Sequence, residues 1–244
     1  MILTKDIIKE HIIDRINNKV KVVSVGALVN GVQTVKLCNV KWLGLYNEFL
    51  SGEKVLNISG ESVDVETSTA FNVGDILEIK IPLFFHGNPY TTIEEWHNFS
   101  TQEKVKLPFI WYVTPSNETH NEPKISIKRT SDVKLFFVHW SNWQKLNNDR
   151  VSEAIQPLQN LVEEFMHAVN KNTAVFDTYD NYRTREFPKF GNTDQNGVTK
   201  VLMNSTLAGV ELTTTLKILH LECKCPSPIA PINIFDETFD NTFE

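Results

Sequence analysis

The side chains best suited to chemistry in this chain of 244 residues are scattered, and their spacing matches no reaction centre. Cys223 and Cys225 flank one lysine and share a strand face, but a tetrahedral zinc site needs four ligands, and no second pair stands at knuckle spacing. They read as buried strand cysteines. His86, His97, His120 and His139 show neither H-E-x-x-H nor H-x-H spacing, while His139 and His220 fall in strand-like runs where histidine serves structure. The glycines of "GNTDQNG" (191–197) lack the Lys-Ser/Thr of a P-loop and the G-x-G-x-x-G spacing, so this reads as a loop tip. Glu94-Glu95 and Glu163-Glu164 are adjacent acids that point to different azimuths, not a ready-made catalytic pair. No G-x-S-x-G elbow occurs. "NYRTREFPKF" (181–190) interleaves Arg183, Arg185 and Lys189 with Tyr182, Phe187 and Phe190, the mixture of a single-strand nucleic-acid platform. The run is short and the chain acidic, which favours a protein-contacting hairpin. The expectation is a protein that is not an enzyme, with no catalytic residues, no metal ligands and no cofactor.

Composition sets the frame for these residues. A hydrophobic content of 41% with 22% charged residues is that of a globular chain, long enough for one large domain or two small ones. Thirty acidic against twenty-four basic side chains give a net charge of −6, which argues against gripping nucleic acid or anionic membrane by bulk electrostatics. The opening "MILTKDIIKEHIIDRINN" has charges inside its apolar pattern, so it is neither a secretory leader nor a membrane span. A cytoplasmic start and only three cysteines make a disulfide framework improbable.

The elements that must position these side chains follow from periodicity. Thr4 is a candidate N-cap, and Ile8, Ile12 and Ile16 recur every fourth residue behind it, predicting a short helix with one buried face. "KVKVVSVGALVNGVQTVKLCNVKWLGL" holds β-branched residues on both sides of Asn30-Gly31, the dipeptide of a type I′ hairpin. Further strands are predicted at "EKVLNIS", "SVDVET", "DILEIKIPL", "LPFIWYV", "PKISIKR", "DVKLFFVHW" and "TLKILHLECKC". In "VSEAIQPLQNLVEEFMHAV" (151–169) the stripe of Val151, Ala154, Ile155, Leu158, Leu161, Val162, Phe165 and Val169 stays in register across Pro157. Proline removes an amide and crowds the preceding turn, so a kink is expected, or a first turn at 149–156 that hands over to the main helix. Met166 falls at the edge of the stripe.

The fold class expected is therefore α+β: a mainly antiparallel sheet, an N-terminal helix and one long helix at about 150–170 packed on it. A single domain spans 1–230, with projecting insertions at 84–106 and 177–199. Residues 231–244 form an acidic arm carrying Phe235, Phe239 and Phe243, which packs only on a partner.

The order of parts, an N-terminal helix, antiparallel strands, then "DVKLFFVHWSNW" leading into "NNDRVSEAIQPLQNLVEEFMHAV" and a late hydrophobic strand, resembles the tail terminator (tail completion) proteins of long-tailed bacteriophages. That resemblance, centred on residues 132–170, implies a virion protein assembled in a bacterial cytoplasm. Its subunits form a closed ring, usually hexameric, that caps the tail tube, stops its growth and meets neck or connector proteins. DNA would pass through the lumen without specific binding, which suits an acidic chain, and no membrane is involved. The family offers no motif residues to transfer. The interface expected from the residues themselves comprises Tyr182, Arg183, Arg185 and Phe187 with Phe235, Phe239 and Phe243. Three alternatives stand beside this reading. One is another head-tail connector or baseplate adaptor. The second is a sugar- or peptide-binding module using Trp96, Trp111, Trp140 and Trp143. The third is a hydrolase assembled from distant His and Asp residues.

Overall fold

A computed structural model of the chain describes residues 3–38, 42–46, 48–99, 107–120, 127–141, 149, 151–177, 181–193, 199–201 and 207–219. The first helix, α1 (Thr4–His11), and the 3-10 turn Ile13–Arg15 bury Ile7, Ile8, Ile12, Ile13 and Ile16, as the four-residue spacing predicts. The cap differs from expectation. Leu3 is the N-cap, and the Thr4 hydroxyl donates instead to the Glu118 carboxylate, a charged acceptor from far along the chain.

Two strands, β1 (Lys19–Val29) and β2 (Val32–Cys38), form the predicted hairpin. Asn30 and Gly31 both take positive φ, 52° and 78°, as a type I′ turn requires. Then come β3 (Lys54–Ser59), β4 (Ser62–Glu66) and β5 (Ile76–Glu78), which complete a five-stranded antiparallel sheet in the order β3-β4-β2-β1-β5. The single strand predicted over 75–83 is split, because the chain leaves this sheet after Glu78 and enters a second one with β6 (Leu83–Gly87).

Residues 84–106, expected as a projecting connection, contain part of β6 and the helix α2 (Pro89–Phe99), with Trp96 only 2% exposed. This helix joins β6 to the parallel strand β7 (Phe109–Val113), a strand-helix-strand unit inside an otherwise antiparallel sheet. After β8 (Glu118–His120), one strand, β9 (Ile127–Trp140), runs across the break predicted between 123–129 and 132–140, while 123–126 lie outside the described residues. Thr130 and Ser131 stay extended because β13 (Leu207–Leu219) pairs through them, with Leu216 opposite Ser131, and a Thr215 hydroxyl bond of 2.8 Å holds Asp132 in the ladder. The late strand thus begins well before the predicted residue 215. Residues 177–199, also expected to project, include the edge strand β10 (Tyr182–Phe187) and a small hairpin of β11 (Gly191–Thr193) and β12 (Thr199–Val201). The second sheet runs β10-β13-β9-β7-β6, with β8 also on β9.

The long helix is unbroken at Pro157. A π-helical turn, Val151–Ile155, hands over to α3 (Gln156–Lys171), whose first turn holds the proline where its missing amide costs least. Gly44 lies beneath it, and a Cβ there would stand 3.3 Å from the Pro157 ring, so the glycine makes room for the proline. The wider π turn rotates Val151 out to solvent, unlike the rest of the expected stripe. Met166, expected at the edge, is buried with Phe165. One continuous apolar cluster joins α1, α3 and the facing sides of both sheets, and the Phe165 ring meets Phe137 edge-on at 5.7 Å. A second cluster on the far face of the six-stranded sheet gathers Phe85, Trp96, Phe109, Trp111, Phe190 and Leu207. This is an α+β fold with mostly antiparallel sheets, an N-terminal helix and a long helix. The arm expected at 231–244 with Phe235, Phe239 and Phe243 lies outside the described residues, as do His220, Cys223, Cys225 and Trp143.

Candidate assembly interface

Tyr182, Arg183, Arg185 and Phe187 are brought together on β10, which pairs with β13 on one side from Tyr182↔Thr214 to Phe187↔Gly209. Alternation places Arg183, Arg185 and Phe187 on one face and Tyr182, Thr184 and Glu186 on the other. The second face meets the long helix, where the Gln159 amide donates to the Glu186 carboxylate. On the first face the Arg185 guanidinium lies 5.0 Å from the Phe187 ring centre. Phe187 meets Phe136 at 5.9 Å, and Phe136 stacks on Trp111 at 5.3 Å. The Trp111 indole N–H donates to the Gly87 carbonyl at 3.0 Å. Aromatic rings therefore run inward from the edge as core, and Phe190 is buried with them. They are not free to stack on bases, and what faces solvent along β10 is two arginines, Tyr182, Thr184 and the Glu186 carboxylate.

The tryptophans separate in the same way. Trp96 and Trp111 are both buried, so they cannot serve as a sugar- or peptide-stacking platform, while Trp140 is 47% exposed. The aromatic spacing of "LPFIWYV" is a core signal, but nothing local distinguishes Trp96 from a surface tryptophan.

Polar side chains that could do chemistry hold the fold together. The Glu118 carboxylate accepts from Thr4 and pairs with Arg129 at 3.6 Å and His120 at 3.8 Å, while Lys5 Nζ lies 3.1 Å from His86 Nε2. Both contacts anchor the first turn of α1 to the second sheet. His139 is held neutral by burial, its pKa pushed down to about 4, and its Nδ1 is shielded from water without a hydrogen-bond partner. Among the described residues no three His, Cys, Asp or Glu side chains gather as a metal ion would need, and no helix is long and apolar enough to cross a membrane. Cys38 is a free thiol at the surface.

A second exposed edge was not singled out in the sequence. β5 pairs with β1 only at Lys19–Lys21, and the next contacts on that side are the Val22 amide to the Asp75 carbonyl and the Gly74 amide to the Val22 carbonyl. Among the described residues, β1 from Val23 to Val29 pairs with β2 on one side and with no strand on the other, and its Gly26 carbonyl accepts from the Gln33 side-chain amide at 2.9 Å. Its sequence, "VSVGALV", holds no charge and no proline, and Val23, Val25, Leu28 and Val29 are all exposed. The signal was present: an uncharged strand that also reads as a good hairpin arm.

No protein-family model and no curated protein matches the chain.

Proposed function

We propose that the chain is a structural subunit that closes into a ring, a tail terminator that caps a phage tail tube and meets the neck. The observation that carries this reading is the pair of unlike exposed edges, the charged β10 at the border of one sheet and the uncharged half of β1 at the border of the other. A closed ring needs heterologous contacts, in which two different patches of each subunit are complementary, and further surface for the tube and the neck. The layout supports it too, with a long helix sealing the sheet behind the strand at 127–140. Tyr182, Arg183, Arg185 and Phe187 are then surface for a tail or neck protein, with Phe235, Phe239 and Phe243 as the proposed arm contacts. The lumen passes DNA without binding it specifically, and the ring belongs to the virion.

Native mass spectrometry of the purified chain, followed by negative-stain imaging, tests the reading. The expected result is one closed oligomer, a hexamer, with a central hole. A connector or baseplate adaptor would show its ring at another position on partially assembled particles. A chain that stays monomeric alone and with every tail-tube and neck protein refutes the ring.

A further inference from the structure

The exposed cations of β10 lack counter-ions. Arg183 and Arg185 stand on one face of this edge strand, and among the described residues neither forms an ion pair. Glu211, opposite Arg185 on β13, already holds Lys134 at 3.0 Å. Glu186, the strand's own acid, points to the other face and accepts from Gln159. Lys189, just past the strand, is exposed as well. Uncompensated guanidiniums on an acidic chain favour carboxylates, which they hold with two parallel hydrogen bonds.

The chain carries such carboxylates itself. Residues 226–244 hold four acids and no base, −4 of the chain's −6. These acids are patterned: Phe235-Asp236, Phe239-Asp240 and Phe243-Glu244 repeat an aromatic-acid pair every fourth residue. β10 offers the complement, a cation beside an aromatic ring, with the Arg185 guanidinium 5.0 Å from the Phe187 ring centre. A planar guanidinium has two faces, so Phe187 on one leaves the other for a second phenylalanine, while its edge takes a carboxylate.

The tether selects the copy. β13 ends at Leu219, eight residues along the strand from Glu211, the partner of Arg185, a distance of about 27 Å. The fifteen residues 220–234 can span up to about 50 Å. A tethered segment within reach meets its site at an effective concentration of order millimolar, whereas a second copy or another acidic protein competes only from its own concentration in solution. We infer that residues 235–244 dock on β10 of their own chain, with arm carboxylates on Arg183 and Arg185 and an arm phenylalanine on the open face of a guanidinium. Side chains make this contact, because charges along an edge discourage strand addition. The contact forms within one subunit, whether or not subunits close into a ring, and any partner of β10 has to displace it.

Charge exchange tests the docking. One full-length variant carries Arg183→Glu with Arg185→Glu, a second Asp236→Lys with Asp240→Lys, and a third all four substitutions. Both arginines are exposed, and unchanged melting curves verify the fold. Chymotrypsin cleavage within 235–244, followed by mass spectrometry, reads how often the arm is undocked, since the protease cuts the opened form. Each rate is divided by that of the matching free peptide 231–244, which removes the effect of the substitutions on the protease itself. The wild-type arm is expected to be cut about tenfold more slowly than its peptide, the ratio for a millimolar tether and a contact of about 0.1 mM. The two charge-reversed variants should lose that protection, the variant with all four substitutions should regain it, and rising salt should erode it in the wild type. A wild-type arm cut as fast as its peptide overturns the inference and leaves the arginines to an acidic partner protein. Protection that survives either reversal, or that the combined variant fails to regain, overturns it as well. Protection that grows with protein concentration places the arm on a second copy, which also overturns it. If the β10 variant does not fold, the arm variant and the salt series still decide.

Discussion

β10 and the free half of β1 are both sheet borders, yet their chemistry is opposite. β10 carries Arg183, Arg185 and Glu186, and its aromatic end sinks into the second apolar cluster. The β1 stretch carries no charge and turns valines and a leucine toward solvent. Charges beside an edge keep other strands away while leaving side chains free to meet a partner; an uncharged edge invites strand addition. One molecule thus presents two kinds of sheet edge. The difference extends inward, since the sheet behind β10 is sealed on both faces at its apolar end, by α3 on one side and by the cluster around Trp111 on the other.

The largest expected effect lies under the sealed sheet. Phe165→Ala should lower unfolding free energy by about 3 to 5 kcal/mol, as truncation of a fully buried aromatic does. Chemical denaturation measures it, and an unchanged midpoint with assembly lost would turn that helix face into an interface. Acid should act on the same sheet through His139. Its folded pKa of about 4 lies below the unfolded 6.5, so the folded state binds fewer protons than the unfolded chain between those values. Stability is then present above the unfolded pKa and is lost as pH falls from 6.5 toward 4, by roughly 3 kcal/mol at full protonation. The difference between wild type and His139→Gln across that window isolates it, and parallel curves would mean that the ring titrates normally.

On the far face, Gly209 pairs with Phe187, and a Cβ there would meet the Phe190 ring at 2.8 Å and the Phe137 carbonyl at 3.3 Å. Gly209→Ala should cost about 1 to 3 kcal/mol as overpacking, read from the melting temperature. A neutral outcome would show that this cluster yields, and would weaken the contrast between sealed and open sheets. The smallest effects belong to the borders themselves. Arg185→Ala should cost no more than about 1 kcal/mol, the worth of an exposed cation–π contact. Val25→Thr should stay within about 0.5 kcal/mol in the dissociated chain. A larger loss at Val25 would place that residue in the core rather than on a free edge.

Several parts of the fold were legible because the signal is local. Asn30-Gly31 specifies its turn through backbone conformations that few other residues accept, and the isoleucines of α1 specify one face. The stripe across Pro157 announced a first turn that hands over to the main helix at the proline, with the register kept from Ala154 onward. Trp96 was misplaced because α2 is polar in most of its sequence, and its burial comes from strands elsewhere in the chain. The arginine-aromatic run was recognised as a surface, but its division into exposed Arg183 and Arg185 and buried Phe190 depends on which neighbours β13 and β9 supply.

The sequence by itself determined the class of the fold, the hairpin, the long helix with its buried face, and the scatter of reactive side chains, because periodicity and turn chemistry are properties of neighbouring residues. Only the tertiary structure decided which strands are borders. β1 and β9 both read as good strands, yet β9 lies between β13 and β7 while half of β1 has one strand neighbour among the described residues. Pairing joins segments far apart in the chain, so whether an uncharged strand is core or an open edge is written in its partners and not in its own residues.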